Sequence, residues 1–146
     1  MAENEMKLTI ESRSLNESFA RVAVAAFVAQ LDPTVEELSD IKTAVSEAVT
    51  NAIVHGYADS IGKIYITVKI EKGNRVKILV RDTGKGIENI EQAMEPLFST
   101  LGGERAGLGF AVMQSFMDKL HVRSRAGHGT TVTMYKSISY RAAKNG

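Results

Sequence analysis

Apolar and polar residues alternate at the start of the chain, with Met6, Leu8 and Ile10 on one side and Lys7, Thr9 and Glu11 on the other. This is the pattern of a strand with one buried face. The period then lengthens. Ser14 followed by Glu17 reads as a capping box, and Phe19, Val22, Ala23, Ala26, Phe27 and Gln30 continue one helical face as far as Asp32-Pro33. Pro33 suits the first turn of a second helix, Thr34 with Glu37 repeats the capping signal, and Gly56 ends this helix after about six turns. Ile64, Ile66, Val68 and Ile70 alternate strictly, Gly73-Asn74 marks a turn, and Val76, Ile78 and Val80 resume the alternation, which predicts a β-hairpin. From Thr83 to Gly109 the chain is rich in glycine and mainly loop, with a short helical stretch near Asn89 to Glu95. Long loops in small domains usually carry function. Leu108 to Leu120 restores the helical period, and His121 to Arg125 with Thr130 to Lys136 flank a Gly127-His128-Gly129 turn as a closing hairpin. The expected architecture is a two-layer α/β sandwich: a mixed sheet of about five strands with about three main helices on one face.

The 146 residues suit a single domain, 1–146, with a polar tail that frays from about residue 138. The longest apolar run, Val22 to Ala29, has eight residues, against roughly 20 for a membrane span. Glu3 and Glu5 stand where a signal peptide would be apolar. A cytoplasmic protein without membrane contact is expected. There are no cysteines, and the three histidines have no zinc-ligand spacing. With 18 basic and 17 acidic residues and no basic run, the electrostatic footprint of direct nucleic-acid binding is missing.

Four constellations carry candidate chemistry. Glu47, Asn51 and His55 recur every fourth residue along a helix otherwise filled by Ala44, Val45, Ala48, Val49, Ala52, Ile53 and Val54. Burying a carboxylate and an amide there costs several kcal/mol unless they find partners; a wet strip along the helix is the plainer alternative. Asp82 opens Asp82-Thr83-Gly84-Lys85-Gly86 and shares the inward parity of Val76, Ile78 and Val80. An adenine amine would answer this carboxylate, and Gly84 and Gly86 would let the backbone approach a ring; an ordinary Asp-Gly turn also fits. Gly107-Leu108-Gly109 opens a helix, where free N–H groups and the helix dipole favour phosphate, and Arg105 adds a nearby charge. Thr130 follows Gly129 with the inward parity of Val132 and Met134, a position from which it could share base binding with Asp82 or simply open a strand. Neither a P-loop nor a Rossmann fingerprint is present.

In their order and on these elements, the four pieces resemble the N box and glycine boxes of the GHKL (Bergerat-fold) superfamily, which includes gyrase, MutL-type proteins and histidine kinases. The stretches Asn16 to Val22, Ala29 to Thr34, Ser46 to Tyr57 and Glu95 to Thr100 further resemble the sporulation anti-sigma factors, serine-protein kinases of that superfamily. The likeness runs over almost the whole chain. It implies that Asn51 lends an oxygen to Mg²⁺ and that Asp82 and Thr130 hold adenine. It also implies that Gly84, Gly86, Thr100, Arg105, Gly107, Leu108 and Gly109 contact ATP or ADP, and that Glu47, one turn from the metal ligand, acts as general base. The implied partners are a sporulation sigma factor that is sequestered, an anti-anti-sigma protein phosphorylated on serine, and a second copy in a homodimer. Leu101 to Ala106 departs from the family pattern: it is glycine-rich where relatives carry Lys-Pro and a longer acidic stretch, although Arg105 keeps a basic position. An ATP-driven clamp would need a second domain, and a histidine kinase would need a dimerising phosphoacceptor helix. The remaining alternatives are a nucleotide-gated sigma-binding module without kinase chemistry and the stress-response paralogue.

Overall fold

The computed structural model describes residues 2–94 and 106–139. Strand β1 (Ala2–Glu11) is followed by helix α1 (Leu15–Val28) and, after a 3₁₀ turn (Ala29–Leu31), by helix α2 (Val35–Asn51), whose end widens into a π-helical turn (Ala52–Gly56). Strands β2 (Lys63–Glu71) and β3 (Arg75–Asp82), the short helix α3 (Ile90–Ala93), helix α4 (Ala106–Phe116) and strands β4 (Lys119–Arg125) and β5 (Gly129–Ser137) complete the order. The five strands form one sheet in the order β1-β2-β3-β5-β4. Every neighbouring pair is antiparallel, which corrects the expected mixed sheet. The reason is topological: β1 and β2 flank two helices yet run in opposite directions, and the other neighbours meet through hairpins or, for β3 and β5, across the glycine-rich region.

The strand patterns predict the faces. Ile64, Ile66, Val68 and Ile70 of β2 and Val76, Ile78 and Val80 of β3 are all buried toward the helices. The β2–β3 turn puts Gly73 (φ 85°) and Asn74 (φ 59°) in the left-handed region, the conformation that Gly and Asn tolerate best. Helix α2 packs between α1 and α4 and places Ile41, Ala44, Val45, Ala48 and Val49 in the core. Its start is a complete capping box: the Glu37 N–H donates to Thr34 Oγ1 (3.0 Å) and the Thr34 N–H donates to Glu37 Oε1 (2.8 Å). Pro33 lies just outside this cap rather than within the first turn.

Helix α1 differs from its expected face. Ala20, Val24, Ala25 and Val28 are buried, whereas Phe19 and Val22 are 55% and 56% exposed. Eight successive apolar residues hide the phase of a helix, and contact with α2 selects the side with the smaller residues. Ser14 makes no side-chain cap bond: its backbone is already helical (φ −58°, ψ −31°) rather than extended, and the Glu17 N–H donates to its carbonyl (3.3 Å). The third main helix ends at Phe116 rather than running to Leu120, since Lys119 and Leu120 already pair with β5. Where the tail is expected to fray, Ile138 is buried in the core and Ser139 donates from its N–H (3.0 Å) and hydroxyl (2.8 Å) to Glu37 Oε2; the rest of that tail lies outside the described residues.

Candidate nucleotide site

The polar stripe of α2 and the ends of β3 and β5 converge on one pocket. It is lined by Asn51, His55, Asp82, Gly86 and Thr130 among apolar walls from Ala48, Val80, Ile87, Phe110 and Val132. Asp82 is buried at the end of β3 and pairs in register with Thr130 of β5. Burial pushes its carboxyl up from the ordinary carboxylate range, opposed by the backbone N–H groups of Gly84 and Thr130 and by the Arg81 charge. The Gly84 bond to Asp82 Oδ1 is 2.9 Å.

The π turn fits α2 to this strand end. The Tyr57 N–H reaches back to Ala52 O (3.0 Å), and Gly56 O accepts from the Lys85 N–H (3.0 Å). A Cβ on Gly56 would lie 2.9 Å from the Asp82 carboxyl, and one on Gly84 would run into the Gly56 carbonyl. π turns of this kind are rare and cluster at functional sites. Tyr57 Oη locks the junction, donating to Lys63 O (2.6 Å) while accepting from the Thr83 N–H (2.8 Å). Gly86 adopts φ 74° where a side chain would collide with the Arg125 carbonyl.

At the other end, the first turn of α4 presses on the polar stripe. A Cβ on Gly109 would meet Asn51 Nδ2 at 3.0 Å, Asn51 Oδ1 at 3.1 Å and Glu47 Oε2 at 3.2 Å. Asn51 is buried, and both polar atoms of its amide lack a hydrogen-bond partner. An unmade pair of this sort costs about 1–3 kcal/mol, and native structures seldom keep it without a use. The chemistry of the site therefore suits a Mg-nucleotide: an amide oxygen for a metal, helix N–H groups for phosphate and a buried carboxylate for an amine. Among the described residues, no three His, Cys, Asp or Glu side chains group as a metal cage; a magnesium ion that keeps waters and phosphate oxygens as ligands would suit a single amide oxygen.

The structure thus brings together Glu47, Asn51, Asp82, Gly84, Gly86, Gly109 and Thr130. Gly107 lies in the first turn of α4, and Leu108 is 45% exposed, so toward a ligand it offers its backbone. Thr100 and Arg105 lie outside the described residues. The sequence patterns missed Tyr57 and Ser124. Ser124 has the inward parity of Leu120 and Val122 and stands opposite Thr130. That parity was its one available signal.

The histidine kinase-like ATPase domain family matches residues 10–136. An anti-sigma F factor of Thermoanaerobacter sp. (strain X514) is 62% identical over 92% of this chain and 94% of its own length. One from Anoxybacillus flavithermus (strain DSM 21510 / WK1) is 56% identical over 93% and 94%. Among solved structures, the RsbU and RsbW domains of Rv1364c from Mycobacterium tuberculosis superpose with TM-score 0.66 at 20% identity, over 92% of this chain and 32% of that one. The histidine kinase domain of a blue-light activated kinase from Erythrobacter litoralis gives TM-score 0.57 at 20% identity, over 84% and 60%. These two share the fold. Family match and relatives together show that the chain belongs to the histidine kinase-like ATPase domains and, within them, to the anti-sigma F factors.

Proposed function

We propose that this chain binds Mg-ATP in the pocket between α2, α4 and the β3–β5 ends, sequesters a sporulation sigma factor as a homodimer, and phosphorylates a serine of the anti-anti-sigma protein that opposes it. The observation that carries the reading is the pairing of the unpartnered Asn51 amide with the Glu47 carboxylate, both against the first turn of α4. Asn51 would hold the metal. Asp82 and Thr130 would hold the adenine. Backbone N–H groups at Gly107, Leu108 and Gly109, with Thr100 and Arg105 from the adjoining segment, would hold the phosphates. A magnesium ion held there by Asn51 would supply charge neutralisation for phosphoryl transfer. Glu47, half-buried one helical turn from Asn51, accepts the proton of the incoming serine hydroxyl while the rigid helix fixes its distance from the nucleotide.

The test is phosphoryl transfer from labelled Mg-ATP to the purified anti-anti-sigma protein. Glu47→Gln should keep ATP affinity and lower transfer by about 10²- to 10⁴-fold, the range of a general base, while Asn51→Ala should lose Mg²⁺-dependent binding. Normal transfer by Glu47→Gln would place the base elsewhere. ATP binding without any transfer to the partner would reduce the protein to a nucleotide-gated binding module.

A further inference from the structure

The geometry points to Ser124 as a positioning residue that sets which base the pocket accepts, a role resting on the nucleotide reading above. Ser124 belongs to none of the four constellations and does not line the pocket. It sits on β4 opposite Thr130, and its part-buried hydroxyl joins three segments. Ser124 Oγ accepts from the Ile87 N–H (2.7 Å), donates to Gly129 O (3.0 Å) and lies 2.8 Å from Thr130 Oγ1.

A serine hydroxyl has one proton and two lone pairs. With the proton on Gly129 O and one lone pair taken by Ile87, the remaining lone pair receives the Thr130 proton. Thr130, which lines the pocket beside Asp82, then shows a ligand only lone pairs. The Asp82 carboxylate is an acceptor as well. Both side chains at this end of the pocket therefore ask the base for a donor, which the 6-amino group of adenine provides. A purine without that group leaves buried acceptors unanswered, and such mismatches dominate discrimination in polar pockets. Removing the Ser124 hydroxyl frees the Thr130 proton to turn into the pocket, where it can donate to a ring nitrogen that both purines carry, so Thr130 no longer favours the base with the amine.

The experiment compares Mg-ATP with Mg-purine riboside triphosphate, which lacks only the 6-amino group, by calorimetry on the full chain. For Ser124→Ala, the preference for ATP should fall by roughly tenfold, the effect of one mismatched hydrogen bond, while ATP affinity itself changes less. Thr130→Val should also lower the preference, and the double variant should fall no further than Thr130→Val alone, because Ser124 acts through Thr130. An unchanged preference in Ser124→Ala, or an equal loss of both nucleotides, would overturn the assignment and leave Ser124 as a structural link. Additive effects in the double variant would overturn it too. If the unaltered chain bound neither nucleotide, the nucleotide reading and this inference would fall together.

Discussion

Asp82 is costly to the fold, a buried carboxyl at the strand end where the nucleotide base is proposed to bind. Its folded carboxyl titrates above its unfolded value, mainly because burial disfavours the charge. The folded state therefore binds the proton more tightly, so the associated stability is present in acid and is lost as pH rises through the folded pKa. Asp82→Asn removes the buried charge and keeps an oxygen for the Gly84 N–H. In thermal melts without nucleotide, this variant should be at least as stable as the parent near neutral pH, with its advantage vanishing in acid. It should also lose most of the stabilisation that ATP gives the parent. A variant with full ATP-induced stabilisation would remove Asp82 from base binding. For the unaltered chain, ATP affinity should decline as pH falls through the Asp82 pKa, since an amine needs the ionised acceptor. Asp82 was readable because strand parity assigns a face to each residue. Ser124 had the same parity but no distinguishing chemistry, and its proposed role rests on three hydrogen bonds, to Ile87 and across its own hairpin to Gly129 and Thr130.

Among the elements, α2 and α4 form the helical side of the candidate site and their contact is tight. Gly109 stands where a methyl group would press the Asn51 amide and Glu47 carboxylate at 3.0–3.2 Å. Gly109→Ala should gain helix propensity, up to about 1 kcal/mol, and the neighbouring side chains should absorb the crowding by small shifts. The expected outcome is a fold of similar stability in denaturant melts with markedly weaker Mg-ATP binding; unimpaired binding would show that the first turn of α4 does not approach the nucleotide. The Thr34–Glu37 cap was legible because its partners are three residues apart, whereas Ser14 had the same spacing but a helical backbone (ψ −31° against 162° at Thr34) that turns its hydroxyl away from capping. The π turn at Ala52–Gly56 had no sequence signature, because a helix widens there in response to the strand end packed against it.

For the whole molecule, the proposed switch is one of partner choice. The segment between Met94 and α4 adjoins the phosphate end of the site in sequence, so the γ-phosphate is the chemical difference through which two nucleotide states can present different surfaces. ATP is expected to favour the sigma factor complex, and ADP, after transfer, the unphosphorylated anti-anti-sigma protein. Arg21, paired with Glu17 on α1, is a candidate for part of the surface that meets these partners. Affinities for both partners should be measured with ATP, with ADP and without nucleotide; equal values across the three conditions would leave the nucleotide as a phosphate donor alone. The sequence by itself determined the strands and the count of main helices, and it singled out the candidate residues for nucleotide chemistry, because alternation, caps and chemical type are local properties. Only the tertiary structure decided which side of α1 is buried, that every strand pair is antiparallel, and that Asn51, Glu47 and Gly109 meet. Those outcomes depend on which surfaces pack together, and packing energy is shared between residues far apart in the chain.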